Sequence, residues 1–112
     1  MNIENTFSSQ EKLDKILIKH KAVLLYFRTN SCVVGETVEP KVNKLIDTLF
    51  PKIESFSVDM NISPDIAAKY FVFVEPTILV FFNGNETIRK SRNFSVFEIE
   101  EAIKRPYQFI FE

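Results

Sequence analysis

The chain has 112 residues, of which 46% are hydrophobic and 26% are charged, and its formal net charge is -1. A chain of this length forms one domain, and its near-neutral charge excludes the basic field that binds nucleic acid or an anionic membrane. A single cysteine excludes an internal disulfide, so we expect a reducing, cytoplasmic setting. We expect neither a secretory signal nor a membrane span, because the apolar runs are short.

The first predicted elements are a helix and a buried strand. Ser8 and Glu11 match the capping box that begins many helices. Apolar residues and one histidine then recur at helical spacing: Leu13, Ile16, Leu17 and His20. The run AVLLYF, residues 22–27, is almost continuously apolar, which predicts a strand that is buried on both faces of a sheet.

A second helix is predicted directly after Cys32. Its apolar stripe has helical spacing: Val38, Val42, Leu45, Ile46 and Leu49. Pro40 lies inside this stripe, so we expect it to remove one backbone hydrogen bond and to bend the first turns. Phe50 and Pro51 should end the helix, and a second strand is predicted over residues 53–59.

The second half of the chain continues this alternation. Ser63 followed by Pro64 predicts a short helix with proline at its first position, running to about Tyr70. The run TILVFF, residues 77–82, predicts another buried strand. An Asn-Gly turn then returns the chain into a more exposed strand over residues 86–91.

The last predicted helix begins at a second capping box, Ser95 with Glu98. We expect Pro106 to end it, which would leave residues 105–112 as a C-terminal tail. This tail either folds back on the core or meets a partner chain, and its alternating polar and apolar residues favour neither. The element order predicts an α/β fold, a central mixed sheet with helices on both faces, in a single domain over residues 1–112.

Three features of this order carry a resemblance to a known family. Cys32 stands at the junction of the first predicted strand and its helix, Pro40 interrupts that helix, and VEPTILVFFNGNE, residues 74–86, holds a proline before a strand and an Asn-Gly turn. Over nearly its whole length the chain resembles the thioredoxin family. The resemblance implies a thioredoxin-like fold, an attacking cysteine at Cys32 and a cis-proline at Pro76 that faces the thiol.

Four departures from the family pattern bear on function. Gly35 stands where the family has its second, resolving cysteine, so the motif is Cys-Val-Val-Gly. Tyr26 stands where the family keeps a buried aspartate that assists proton transfer. Glu36 replaces the usual lysine after the motif, and Arg92 falls near a glycine that lines the family's substrate groove. The resemblance therefore implies only half of the family's dithiol chemistry.

The chemistry that remains is attack by one thiol. A helix N-terminus favours the thiolate of Cys32, whereas the carboxylates of Glu36 and Glu75 disfavour it. We therefore expect the pKa of Cys32 to exceed that of two-cysteine thioredoxins, with Arg92 as a partial offset. A mixed disulfide formed at Cys32 has no internal nucleophile to resolve it, so an external thiol must do so.

The resemblance also implies a peptide-binding groove. The backbone before Pro76 would pair with an extended partner segment, and Val33, Val34 and Glu75 would form its rim. This rim favours partly apolar segments and, through Glu75, basic ones. The apolar run over residues 71–74 is either core or a docking surface, and the sequence leaves both open.

Two functions follow from these residues. The first is a single-cysteine thiol-disulfide oxidoreductase that acts on protein or low-molecular-weight mixed disulfides and is regenerated by an external thiol. The second is a redox-inactive module that binds peptides or proteins in the same groove. Neither requires a cofactor, and one cysteine with one histidine predicts no metal site. The oligomeric state is left open.

Overall fold

The computed structural model describes residues 6–7, 10–29 and 33–112. The elements in chain order are β1 (Thr6–Phe7), α1 (Gln10–Lys19), β2 (Ala22–Arg28), α2 (Val33–Leu49), β3 (Glu54–Asp59), α3 (Pro64–Lys69), β4 (Thr77–Phe82), β5 (Asn85–Ser91) and α4 (Val96–Phe111). The strands form one sheet in the order β1-β3-β2-β4-β5. Strands β1, β3 and β2 are parallel, while β4 is antiparallel to both β2 and β5. The predicted mixed α/β sheet is therefore confirmed.

The core lies on both faces of this sheet because the side chains of a strand alternate between faces. On one face, Leu24 and Tyr26 of β2 pack in the cluster that α2 and α4 cover. On the other face, Leu25 and Phe27 pack with residues of α1 and α3, Leu13 among them. Every residue of β4 is buried, as the unbroken apolar run predicted.

Four strand ends meet at one edge of the sheet. Strands β2 and β3 end there, where the N–H of Met60 donates to the carbonyl of Arg28 at 2.8 Å. Strand β4 begins and β5 ends there, where the N–H of Arg92 donates to the carbonyl of Pro76 at 2.8 Å. The sequence places Cys32 in the connection from β2 to α2, which leaves from the same edge.

The structure corrects the prediction that Pro106 ends the last helix. Helix α4 contains Pro106 and continues to Phe111. A proline inside a helix costs about 3 kcal/mol, but the turn after it is held by packing. The ring of Tyr107 is buried at 5.0 Å from Phe50 and 4.8 Å from Phe111, and its hydroxyl accepts from the N–H of Lys52 at 3.2 Å. The predicted tail therefore folds back on the core as helix.

Other local predictions divide between right and wrong. Pro40 lies inside α2 as predicted, and the side chain of Ser95 caps α4 by accepting from the N–H of Glu98 at 3.1 Å. Leu49, however, is half exposed, so the apolar stripe of α2 ends before it. Strand β1 was not predicted, because two residues show no alternation and its pairing with β3 is distant in sequence. The first capping box lies partly outside the described residues.

Candidate functional site

The loop before β4 forms one side of the candidate site, and we call residues 71–76 the proline loop. The Glu75–Pro76 peptide bond is cis, as predicted, and Pro76 is buried. The hydroxyl of Thr77 donates to the carbonyl of Val74 at 2.8 Å. Together with the bond from Arg92 to the carbonyl of Pro76, this contact fixes the loop on the ends of β4 and β5.

A carboxylate connects the proline loop to the end of β2. Both the N–H and the hydroxyl of Thr29 donate to the carboxylate of Glu75, the hydroxyl at 2.5 Å. Hydrogen bonds to a charged group contribute about 1.5–3 kcal/mol. Glu75 therefore holds the start of the β2–α2 connection against the proline loop, and both of its oxygens are engaged there.

Cys32 itself lies outside the described residues. The predicted groove residues Val33 and Val34, together with Gly35 and Glu36, lie in the first turn of α2, and the side chains of residues 33–37 are outside the described part as well. The described neighbours that flank this stretch are Thr29 and, one turn into the helix, the half-buried Val38. The roles predicted for these five residues remain predictions.

A polar cluster lies beneath α2, beside the predicted site residue Tyr26. Tyr26 is fully buried and is paired across β2 and β3 with Ser57. The hydroxyl of Ser57 donates to the carboxylate of Glu39 at 2.6 Å, and the same carboxylate lies 3.3 Å from the guanidinium of Arg28. The side chains of Arg28 and Glu39 are only 19% and 16% exposed. An ion pair thus closes the space between α2 and the sheet.

Sequence reasoning missed Glu39, although a signal was available. Arg28 follows Tyr26 by two residues in β2, so it faces α2, where a cation next to the core requires an acidic partner. Glu39 precedes Pro40 on the flank of the apolar stripe, and its carboxylate lies 3.3 Å from the guanidinium of Arg28. The contact joins elements that are distant in sequence, so local patterns did not reveal it.

The first residues of the proline loop close helix α3. The N–H of Val72 donates to the carbonyl of Ala67 at 2.8 Å, and the N–H of Phe71 donates to that of Ala68 at 3.1 Å. This pair of bonds is a Schellman motif, whose left-handed residue is usually glycine. Here that residue is Phe71, with φ of 57°. The motif buries Val72 and turns Phe71 outward.

Arg89 of β5 holds this turn in place. Its guanidinium donates to the carbonyls of Tyr70, at 2.6 Å, and Phe71, at 3.2 Å, and it is paired with Glu86 at 2.9 Å. The hydrogen bonds that Arg89 donates to the carboxylate of Glu86 raise the pKa of Arg89 above its ordinary value. Tyr70 packs edge-on against Phe81 at 5.6 Å, and partial burial raises the pKa of its hydroxyl.

The apolar run over residues 71–74 is partly exposed and partly core. Phe71 is 73% exposed and Phe73 is 72% exposed, whereas Val72 between them is buried and Val74 is half-buried. The alternation displays two phenyl rings in the segment between α3 and the cis-proline. The predicted site residue Arg92 is exposed, with φ of 61°, and among the described residues it makes no salt bridge.

The opposite end of the molecule carries an open groove of ≈ 680 Å³ lined by Asp14, Leu17, Ile18, Lys19, His20, Lys21, Asn83 and Gly84. It lies at the β4–β5 turn, far from the cis-proline edge. Within the described ranges, no group of three His, Cys, Asp or Glu side chains is placed to hold a metal ion. No helix among these same residues is long and apolar enough to span a bilayer.

Comparisons with known proteins agree with this geometry. A family model described as Thioredoxin matches residues 4–105. The thioredoxin-like protein YdfQ of Bacillus subtilis is 26% identical over 96 residues, which cover 86% of this chain and 85% of that protein. Thioredoxin-2 of Pyricularia oryzae is 34% identical over 77% of this chain and 49% of its own length. The X-ray structure of Fasciola hepatica thioredoxin superposes with a TM-score of 0.76 at 28% identity, covering 94% of this chain and 98% of that one.

Proposed function

Because the chain belongs to the thioredoxin family, we propose that it is a thiol-disulfide oxidoreductase in which Cys32 works without a second cysteine. The observation that carries this proposal is the position of the chain's only cysteine, three residues after Thr29 and directly before α2. Protein disulfides are the general substrates of the family, and mixed disulfides are the substrates that one thiol is able to reduce.

The proposed reaction has two exchange steps. The thiolate of Cys32 attacks the small-thiol sulfur of a mixed disulfide between a client protein and a low-molecular-weight thiol. A Cys32–small-thiol disulfide forms, and the client leaves as a thiolate that takes up a proton. A second molecule of the small thiol then attacks this disulfide, releases Cys32 and leaves as the oxidised small disulfide. The external thiol supplies both electrons, so a reducing compartment such as the cytoplasm fits the reaction.

The reaction requires Cys32 to lie close to the proline loop, and the contact between Thr29 and Glu75 supports this. Three residues of chain reach at most about 11 Å, so Cys32 cannot be farther than this from Thr29. Thr29 in turn is hydrogen-bonded to the residue that precedes Pro76. We therefore propose that the thiol lies beside the proline loop, where an extended client segment would pair with the backbone.

The residues beneath α2 support a mechanism in which no second thiol of the chain resolves the mixed disulfide. Gly35 carries no thiol. Tyr26 is fully buried in an apolar cluster, and the nearby carboxylate of Glu39 is committed to Arg28 and Ser57. The commitment of Glu39 to these two partners fits a mechanism that lacks an internal resolving step.

The exposed rings of Phe71 and Phe73 favour a second candidate, a redox-inactive binding module. Contiguous exposed apolar patches often mark protein interaction sites. Under this alternative the proline loop binds the partner, and Cys32 is dispensable.

One comparison separates the two functions. Peptide–glutathione mixed disulfides are offered with excess glutathione, and peptide thiol release is followed for the wild type and for Cys32→Ser. We expect turnover in the wild type and none above the uncatalysed rate in Cys32→Ser. Equal rates for the two proteins would reject the oxidoreductase and leave the binding module.

A further inference from the structure

Two side chains beside the proline loop stand at backbone positions that usually suit glycine. Phe71, with φ of 57°, and Arg92, with φ of 61°, lie in the left-handed region, where a Cβ atom is disfavoured. The third such non-glycine residue among the described ranges, Asn83, belongs to a hairpin turn that asparagine tolerates. Bulky residues that are held in this region point to a function for their side chains.

The backbone around Phe71 is fixed by contacts that do not involve its ring. Arg89 donates to the carbonyls of Tyr70 and Phe71, and the Schellman bonds hold the turn from the α3 side. The ring therefore contributes little to the fold, yet it is 73% exposed beside the equally exposed Phe73. A preorganised pair of aromatic rings is the type of anchor that dominates binding at protein interfaces.

An exposed cation lies beside the proline loop. Glu75, the acid predicted to attract basic segments, turns both carboxylate oxygens toward Thr29. Arg89 is neutralised by Glu86. Arg92 remains as an exposed cation whose own N–H is bonded to the carbonyl of Pro76, so a partner on the proline loop meets a positive charge.

We propose that Phe71, Phe73 and Arg92 select client segments that carry a large apolar side chain and a carboxylate. This inference rests on the proposed function and names its substrate class. Arg92 follows Arg89, whose guanidinium contacts the carbonyl of Phe71, by three positions in the sequence. Three positions of an extended chain span about 10 Å. An extended segment of about four residues therefore reaches from the cation to the aromatic rings.

The test varies the two features independently. Four peptides carry one cysteine as a glutathione mixed disulfide. On one side of the cysteine stands leucine or serine, and on the other side aspartate or lysine. The second-order rate constant is measured for each with wild-type protein. We expect the leucine–aspartate peptide to react fastest, about tenfold faster than the serine–lysine peptide. The advantage of aspartate should shrink as salt is added.

Matched variants assign each preference to its residue. Phe73→Ser should abolish the preference for leucine. The control Phe109→Ser removes an exposed phenyl ring from the last turn of α4, outside the proline loop, and should keep the preference. Arg92→Asn removes the positive charge and should abolish the preference for aspartate, whereas Arg92→Asp reverses the charge and should reverse the preference. Asparagine and aspartate both tolerate the left-handed backbone, so neither substitution should disturb the fold. Arg92→Lys keeps the charge and should retain the preference.

A second readout separates this inference from the proposed function. The same peptides with serine in place of cysteine are titrated against Cys32→Ser protein by NMR. Selective binding without any exchange activity would reject the oxidoreductase and support the inference. Equal rates and equal binding for all four peptides would overturn the inference, and so would a concentration-dependent dimer that buries Phe71 and Phe73 between two copies.

Discussion

The two sides of the candidate site differ in what they retain. The proline loop keeps its cis peptide and its backbone contacts, and it displays two phenyl rings to solvent. The side beneath α2 is closed, with a buried tyrosine and an ion pair between Arg28 and Glu39. In a dithiol enzyme the first side holds the client and the second helps to release it. Under the proposed function, this chain would hold a client on the first side and leave its release to an external thiol.

The largest effect is expected from introducing a resolving cysteine at position 35. Gly35→Cys should allow the chain to resolve its own mixed disulfide, because an internal thiol acts at a far higher effective concentration than one in solution. We expect insulin reduction to rise about a hundredfold over the weak wild-type rate. The assay is turbidity of reduced insulin, with Gly35→Ser as the matched control. An unchanged rate in Gly35→Cys would show that the α2 side limits turnover by its buried tyrosine as well.

The polar cluster beneath α2 should contribute the next largest effect, which is on stability. Glu39→Ala leaves the guanidinium of Arg28 and the hydroxyl of Ser57 without this carboxylate, and we expect it to lower the free energy of unfolding by about 2 kcal/mol. Glu101→Ala removes an exposed pair with Lys104, whose side chains are 48% and 56% exposed, and should cost less than about 0.5 kcal/mol. Urea unfolding of both variants measures the difference. Equal losses would mean that Glu39 does not bind the helix to the sheet.

Phe71→Gly should act in opposite directions on the fold and on binding. Glycine suits the left-handed residue of the Schellman motif, so we expect the free energy of unfolding to rise by about 0.5–1 kcal/mol, while client exchange slows. Phe73→Gly, without a left-handed backbone, should lower the same free energy by about 0.5–1 kcal/mol. Thermal unfolding of the two variants shows whether each substitution raises or lowers the free energy of unfolding. A destabilised Phe71→Gly would indicate that the ring supports the fold and is not kept for a partner.

The smallest expected effect is the pH dependence that comes from Tyr70. Burial raises the pKa of this hydroxyl above 10.0, so the folded state holds the proton more tightly than the unfolded state does. Its contribution to stability is therefore complete below pH 10 and is lost as the pH rises through the folded-state pKa. Unfolding free energies at pH 8 and pH 11 should fall more steeply for the wild type than for Tyr70→Phe. Parallel slopes would contradict the assignment.

The sequence predicted the features that depend on neighbouring residues. The strand over residues 77–82 and the helix cap at Ser95 follow from short patterns, and the resemblance to the thioredoxin family implied the cis-proline. What escaped prediction depends on distant contacts. Helix α4 passes Pro106 because Tyr107 packs on Phe50, and Glu39 is placed by Arg28 from another element. The left-handed turn after α3 was hidden because Phe71 occupies a position that glycine usually marks.

The central claim is that Cys32 attacks alone and then waits for an external thiol. It is tested most directly by mixing the protein with a peptide–glutathione disulfide and no other thiol, and following released peptide and protein mass together. The account predicts a burst of one peptide thiol per chain, with one glutathione bound at Cys32 that is released only when free glutathione is added. No burst, or a burst of equal size in Cys32→Ser, would contradict it.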